Sequence, residues 1–167
     1  RVVRAITSIP KPVVSVVNGG AVGFGCALAL SCDLVVAAPS ACFQLAFCRV
    51  GLMPDGCASA LLPGLIGRGR AARMAMTAER VSAAIAFEWG MIAYLSGQDD
   101  HESVLEDVLR SLSGGPTQAF GWTKRALAAA TLTELEQVQT IEAEGQLALV
   151  ETADFREGAR AFRERRT

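Results

Sequence analysis

The chain has 167 residues, 51% of them hydrophobic, which is enough apolar material for one sizeable core and too little length for two independent ones. Lysine and arginine number 16 against 17 aspartate and glutamate residues, a net charge of −1 without a long basic run, which argues against a nucleic-acid surface. Asn18 and several glycines break the longest apolar stretch and nothing near the start has the character of a signal sequence, so the expectation is a soluble, cytoplasmic protein with no membrane partner.

"KPVVSVVNG", residues 11–19, is a β-branched run without clean alternation, closed by Asn-Gly, and reads as a strand covered on both faces. Residues 19–25, "GGAVGFG", then place four glycines in seven positions. The following "CALALSC" has no polar face and suits a buried helix beginning at Phe24 or Gly25. Such a start presents unpaired N–H groups. Three readings stay open for it: a tight turn onto a core helix, a phosphate cradle, or a pair of donors for a polarised carbonyl. The dinucleotide version of the cradle fails on spacing, because Leu28 stands where a third small residue belongs and Asp33 arrives too early to meet a ribose.

"DLVVAA" (33–38) and "CFQLAF" (42–47) read as two further strands, separated by Pro39 and Ser40. From Asp55 the pattern turns helical: "DGCASALLPGLIG", then "GRGRAARMAMTA", then "SAAIAFEWG", where Ser82 can cap and Gly90 can terminate. "MIAYL" (91–95) reads as a last short strand. Residues 99–167 hold four helical segments, with Gly114, Gly115 and Pro116 between the first two and Thr133 with Glu136 matching a capping box for the third. The division is an α/β core over 1–98 and a helical region over 99–167. Its last stretch, 151–167, has five arginines against four acidic residues and reads as a solvated helix face.

The five cysteines, Cys26, Cys32, Cys42, Cys48 and Cys57, are odd in number and form no C-x-x-C pair, so they read as free buried thiols of a reducing compartment. No spacing of His, Cys or carboxylate residues makes a metal site. His101, the single histidine, lies in polar "GQDDHES" and reads as a solvated side chain.

Taken in order, "KPVVSVVNGGAVGFGCALALSCDLVVAAPSACFQLAFCRVGLMPDGCASALLPGLIGRGRA" and "TAERVSAAIAFEWGMIAYL" resemble the enoyl-CoA hydratase/isomerase (crotonase) family, closely over 10–95 and more loosely in the tail. The resemblance implies a crotonase-like α/β fold of ββα units, present here in part. It also implies a helical C-terminal trimerisation region, a homotrimer or hexamer, and an acyl-CoA thioester as substrate with no other cofactor. Family members carry a substantial stretch ahead of "KPV" with early strands and a second oxyanion donor, and that part is expected to be missing here.

For the site, the resemblance assigns the backbone N–H of Phe24 to an oxyanion hole, flanked by Gly23 and Gly25. The two glutamates that hold water in the family's hydratases correspond to Ala27 and Phe47, neither of which can move a proton. "LMPDGCAS" instead puts Asp55 where certain Δ3,Δ2-enoyl-CoA isomerases carry a single catalytic carboxylate. Ala27, Phe47, Leu52, Met53 and Pro54 are the expected acyl pocket. By position alone Asp55 equally fits a helix N-cap. Hydration by an atypical site and a catalytically silent acyl-CoA-binding or assembly paralogue are the competing functions.

Overall fold

The computed structural model describes residues 1–166. Its elements in chain order are α1 (Val2–Ser8), β1 (Val14–Val17), β2 (Gly20–Val22), α2 (Phe24–Leu30), β3 (Leu34–Ala37), β4 (Cys42–Gln44), α3 (Ala58–Thr77), β5 (Arg80–Ser82), α4 (Ala83–Glu88), β6 (Tyr94–Leu95), α5 (His101–Ser113), α6 (Thr117–Thr131), α7 (Leu135–Leu149) and α8 (Ala153–Arg163). A 3-10 helix, Ala46–Val50, follows β4.

Two three-stranded sheets are ordered β1-β3-β6 and β2-β4-β5. β1 and β3 run parallel with Val14 opposite Leu34 and Val17 opposite Ala37, while β2 and β4 run parallel with Gly20 opposite Cys42. β1, β2 and α2 thus form one ββα unit, which repeats as β3, β4 and α3, so each sheet takes one strand from each repeat. This is the crotonase arrangement. Between the sheets and α2, α3 and α4 lies a core in which Phe43, Leu45, Leu62 and Met74 are almost wholly enclosed. At its margin the Lys124 ammonium of α6 donates to the carbonyls of Ile6 (2.6 Å) and Lys11 (3.2 Å) and to Asp33 Oδ2 (2.7 Å). That ties α1 and the approach to β1 to the tail.

Several sequence expectations change. Residues 20–22 pair as a strand rather than turning freely, and the run 42–47 leaves extended conformation after Gln44, so Phe47 sits on the 3-10 helix. α1 and β5 carry no periodic signal. The run 91–95 pairs only at Tyr94 and Leu95. As expected, two helical stretches meet at Gly67, whose φ of +77 and ψ of 154 break the helical backbone within α3. Ser82 caps α4 through Ile85 N–H, as its type predicts, and Gly90 lies just past the end with φ +74.

The capping box of the third tail helix does not form: Glu134 occupies the cap without a side-chain bond, and Glu136 pairs with Arg4 instead. His101 is half-buried rather than solvated, because Nδ1 meets the buried Ser96 hydroxyl at 2.7 Å. All five cysteines are free, and Cys48 is exposed rather than buried. Arg160 of α8 and Arg166 just beyond its end pair with Glu157 on the solvated face expected.

Candidate active site

A cavity of about 400 Å³ opens where the N-terminus of α2, the turn before α3 and one face of α7 converge. This is within the usual range for small-molecule sites. Phe24, Asp55, Cys57, Gln139, Glu142 and Gln146 are among the residues in its wall.

Gly23 makes the entry to α2 possible. Its φ of +58 turns the chain from β2 into the helix, and its N–H is spent on the Gln44 carbonyl of β4 at 2.8 Å. Gly23 therefore shapes the entry to α2 while its own N–H is already paired. The N–H groups of Phe24 and Gly25 are the first of the helix and have no acceptor among the described residues. The Phe24 side chain is exposed.

Asp55 reaches the same cavity through a tight turn. Gly56 has φ +68, and a Cβ there would stand 2.8 Å from the Ala27 Cβ and 3.0 Å from the Phe24 ring. Only glycine lets this turn lie against α2. Asp55 does not cap α3: its backbone carbonyl accepts from Ala58 N–H, while its side-chain Oδ1 is buried with no partner among the described residues. Burial, and to a smaller extent the charge of Glu142, push the Asp55 carboxyl above its ordinary value.

The cap that Asp55 does not supply comes from α7. Glu142, buried at 3% exposure, accepts from Cys57 N–H at 2.7 Å and Ser59 N–H at 3.0 Å, so both its oxygens are occupied. Sequence reasoning missed it. An acid 85 residues beyond the N–H it accepts from leaves no local signature, and only the helical period of α7 could have flagged an isolated inward-facing glutamate.

The expected acyl-pocket residues sit elsewhere. Ala27 is fully enclosed beneath Gly56, Pro54 is buried, and Phe47 packs beside Gly23 against the core. Met53 is seated against Gly145 of α7, and the Leu52 N–H closes a turn on the Phe47 carbonyl. None of the five is in the wall of this cavity: Ala27 lies on α2 and the other four on the 46–54 segment. Among the described residues no cluster of three His, Cys, Asp or Glu side chains could hold a metal ion, and no helix is long and apolar enough to cross a membrane.

Known proteins share both the fold and the sequence. The chain is 38% identical to 1,2-epoxyphenylacetyl-CoA isomerase of Escherichia coli (strain K12), over 99% of this chain and 63% of that protein. It is 32% identical to trans-2-decenoyl-[acyl-carrier-protein] isomerase of Streptococcus mutans, over 97% of this chain and 62% of that protein. The crystal structure of an enoyl-CoA hydratase from Mycobacterium avium subsp. paratuberculosis K-10 superposes with a TM-score of 0.96 at 48% identity, covering 99% of this chain and 67% of that one. The chain thus spans about three fifths of the curated relatives it matches. The family model described as enoyl-CoA hydratase/isomerase matches residues 1–167, and with the repeated ββα units and the α2 entry already in place, the chain belongs to the enoyl-CoA hydratase/isomerase family.

Proposed function

We propose that the protein acts on an acyl-CoA thioester as a Δ3,Δ2-enoyl-CoA isomerase, with Asp55 as its only proton shuttle and no metal or other cofactor. The observation that carries this reading is that Asp55 is the carboxyl group of the cavity with an oxygen free of protein partners, whereas both Glu142 oxygens cap α3. A one-carboxylate site suits isomerisation. Asp55 removes a proton from C2 of a 3-enoyl-CoA, the electrons delocalise onto the thioester oxygen, and the carboxylic acid returns the proton at C4 as the double bond settles between C2 and C3. The unclaimed N–H of Phe24, in the same cavity wall as Asp55, is the donor proposed for the developing oxyanion, where one well-placed donor contributes about 3 kcal/mol. Burial raises the Asp55 carboxyl above an ordinary aspartate and so makes it a stronger base, the direction that suits a residue that both takes and gives a proton.

Hydration is the second reading, supported by the likeness to the Mycobacterium avium hydratase. Against it stand Ala27 and Phe47, which leave the family's water-holding positions without carboxylates. Assembly into a homotrimer or hexamer is part of the proposal, supported by the exposed Leu127, Ile141 and Leu147 of the tail. The test is to offer a 3-enoyl-CoA and a 2-enoyl-CoA in parallel. Isomerisation of the first is expected to outpace hydration of the second. Faster hydration would replace this reading with the hydratase one, and binding of both without turnover would make the protein a silent acyl-CoA binder.

A further inference from the structure

Glu142 lies inside the protein with its two oxygens on the Cys57 and Ser59 N–H groups, which the first turn of α3 leaves without intrahelical acceptors. The turn held in this way is the one that delivers Asp55. Gly56 and Cys57 both have positive φ, +68 and +62, and the second is a conformation an L side chain rarely adopts. Such backbone persists only where its surroundings fix it. One helical turn further along α7, Gln146 Nε2 donates to the Met53 carbonyl at 2.8 Å, so the helix grips the chain on both sides of Asp55. A serine or threonine would cap a helix without burying a charge, yet a buried carboxylate is what stands here, beside a second one.

The geometry points to Glu142 as a positioning residue for Asp55, one that fixes the Gly56–Cys57 turn and acts on the neighbouring carboxyl as a like charge. The inference rests on the proposed role of Asp55. The direction of the Asp55 shift agrees with it, burial contributing most and Glu142 next. The other charged and titratable groups near the cavity leave this pairing in place. The Cys57 thiol is pushed up by burial and stays neutral, Arg4 of α1 is turned to Glu136 and Gln139 of α7, and Arg1 lies in the cavity wall.

The experiment titrates carboxyl-labelled aspartate in the full chain by NMR, with Asp55→Asn assigning the Asp55 signal, alongside pH profiles of isomerisation. In Glu142→Gln the Asp55 midpoint is expected to fall by about half a pH unit or more, and kcat at its plateau to fall on the order of tenfold with KM less affected. A folded Glu142→Gln protein with parental midpoint and kcat overturns the inference.

Should Glu142→Gln fail to fold, the conservative variant decides the inference. Glu142→Asp keeps the charge on a shorter arm, so a parental midpoint with reduced kcat supports the positioning half and a parental kcat overturns it. A parent that never isomerises but whose Asp55 midpoint falls in Glu142→Gln sinks the isomerase reading alone, and an isomerising parent whose midpoint and kcat survive that substitution sinks this inference alone.

Discussion

Asp55 is placed where its negative charge is disfavoured, since water is partly removed from it and Glu142 lies close by. Two consequences differ in sign. For catalysis the base must be unprotonated, so the isomerase rate should rise with pH through a midpoint above the ordinary 3.8 of an aspartate and level off beyond it. A pH–rate profile already flat at that value would contradict this. For stability, a carboxyl whose folded pKa is raised favours the folded state in acid and loses that contribution as pH climbs through the folded pKa. Asp55→Asn should therefore melt no lower than the parent at neutral pH, with the gap closing as pH falls toward 3.8, as measured by Tm across pH. The unfavourable charge would be kept for its chemistry. Cys57 shares the cavity wall, but its thiol is held neutral by the same burial and has no part in this account.

At the scale of elements, the site depends on how closely the turn 54–57 lies on α2. Replacing Gly56 by alanine puts a Cβ against Ala27 and the Phe24 ring in backbone that disfavours any side chain. We expect Gly56→Ala to lose about 1–3 kcal/mol of stability by denaturant unfolding, together with most of the activity, because the turn and the helix entry move apart. Parental stability would show that the contact is looser than described. The elements also mark what the sequence could carry. β1, α2 and β3 were legible because their apolar runs and glycine punctuation are local, as were the Ser82 cap and the break at Gly67. β2 was not, since Gly20–Val22 becomes a strand only through β4, twenty-two residues later in register. Glu142 was hidden for the same reason.

For the whole molecule, the tail is an integral part of the site. α7 supplies Glu142, Gln139 and Gln146 to the cavity wall, and α8 packs on the 3-10 helix, where a Cβ on Gly158 would collide with the Val50 backbone. Leu127 of α6 and Ile141 and Leu147 of α7 are left more than half exposed, at 62%, 52% and 72%. Apolar groups spread over successive helices suit an interface between copies. Light scattering at micromolar concentration should give a mass three or six times that of the chain, and a compact monomer would remove the assembly from the account.

The claim on which the rest turns is that one carboxyl group moves the proton. Its most direct test is the rate of conversion of a 3-enoyl-CoA to its 2-enoyl isomer by the parent and by Asp55→Asn, with acyl-CoA affinity measured on both. Asparagine is nearly isosteric and leaves the Phe24 donor untouched, so binding should be retained while kcat falls by on the order of a hundredfold or more. An active parent whose rate survives the substitution would contradict the account.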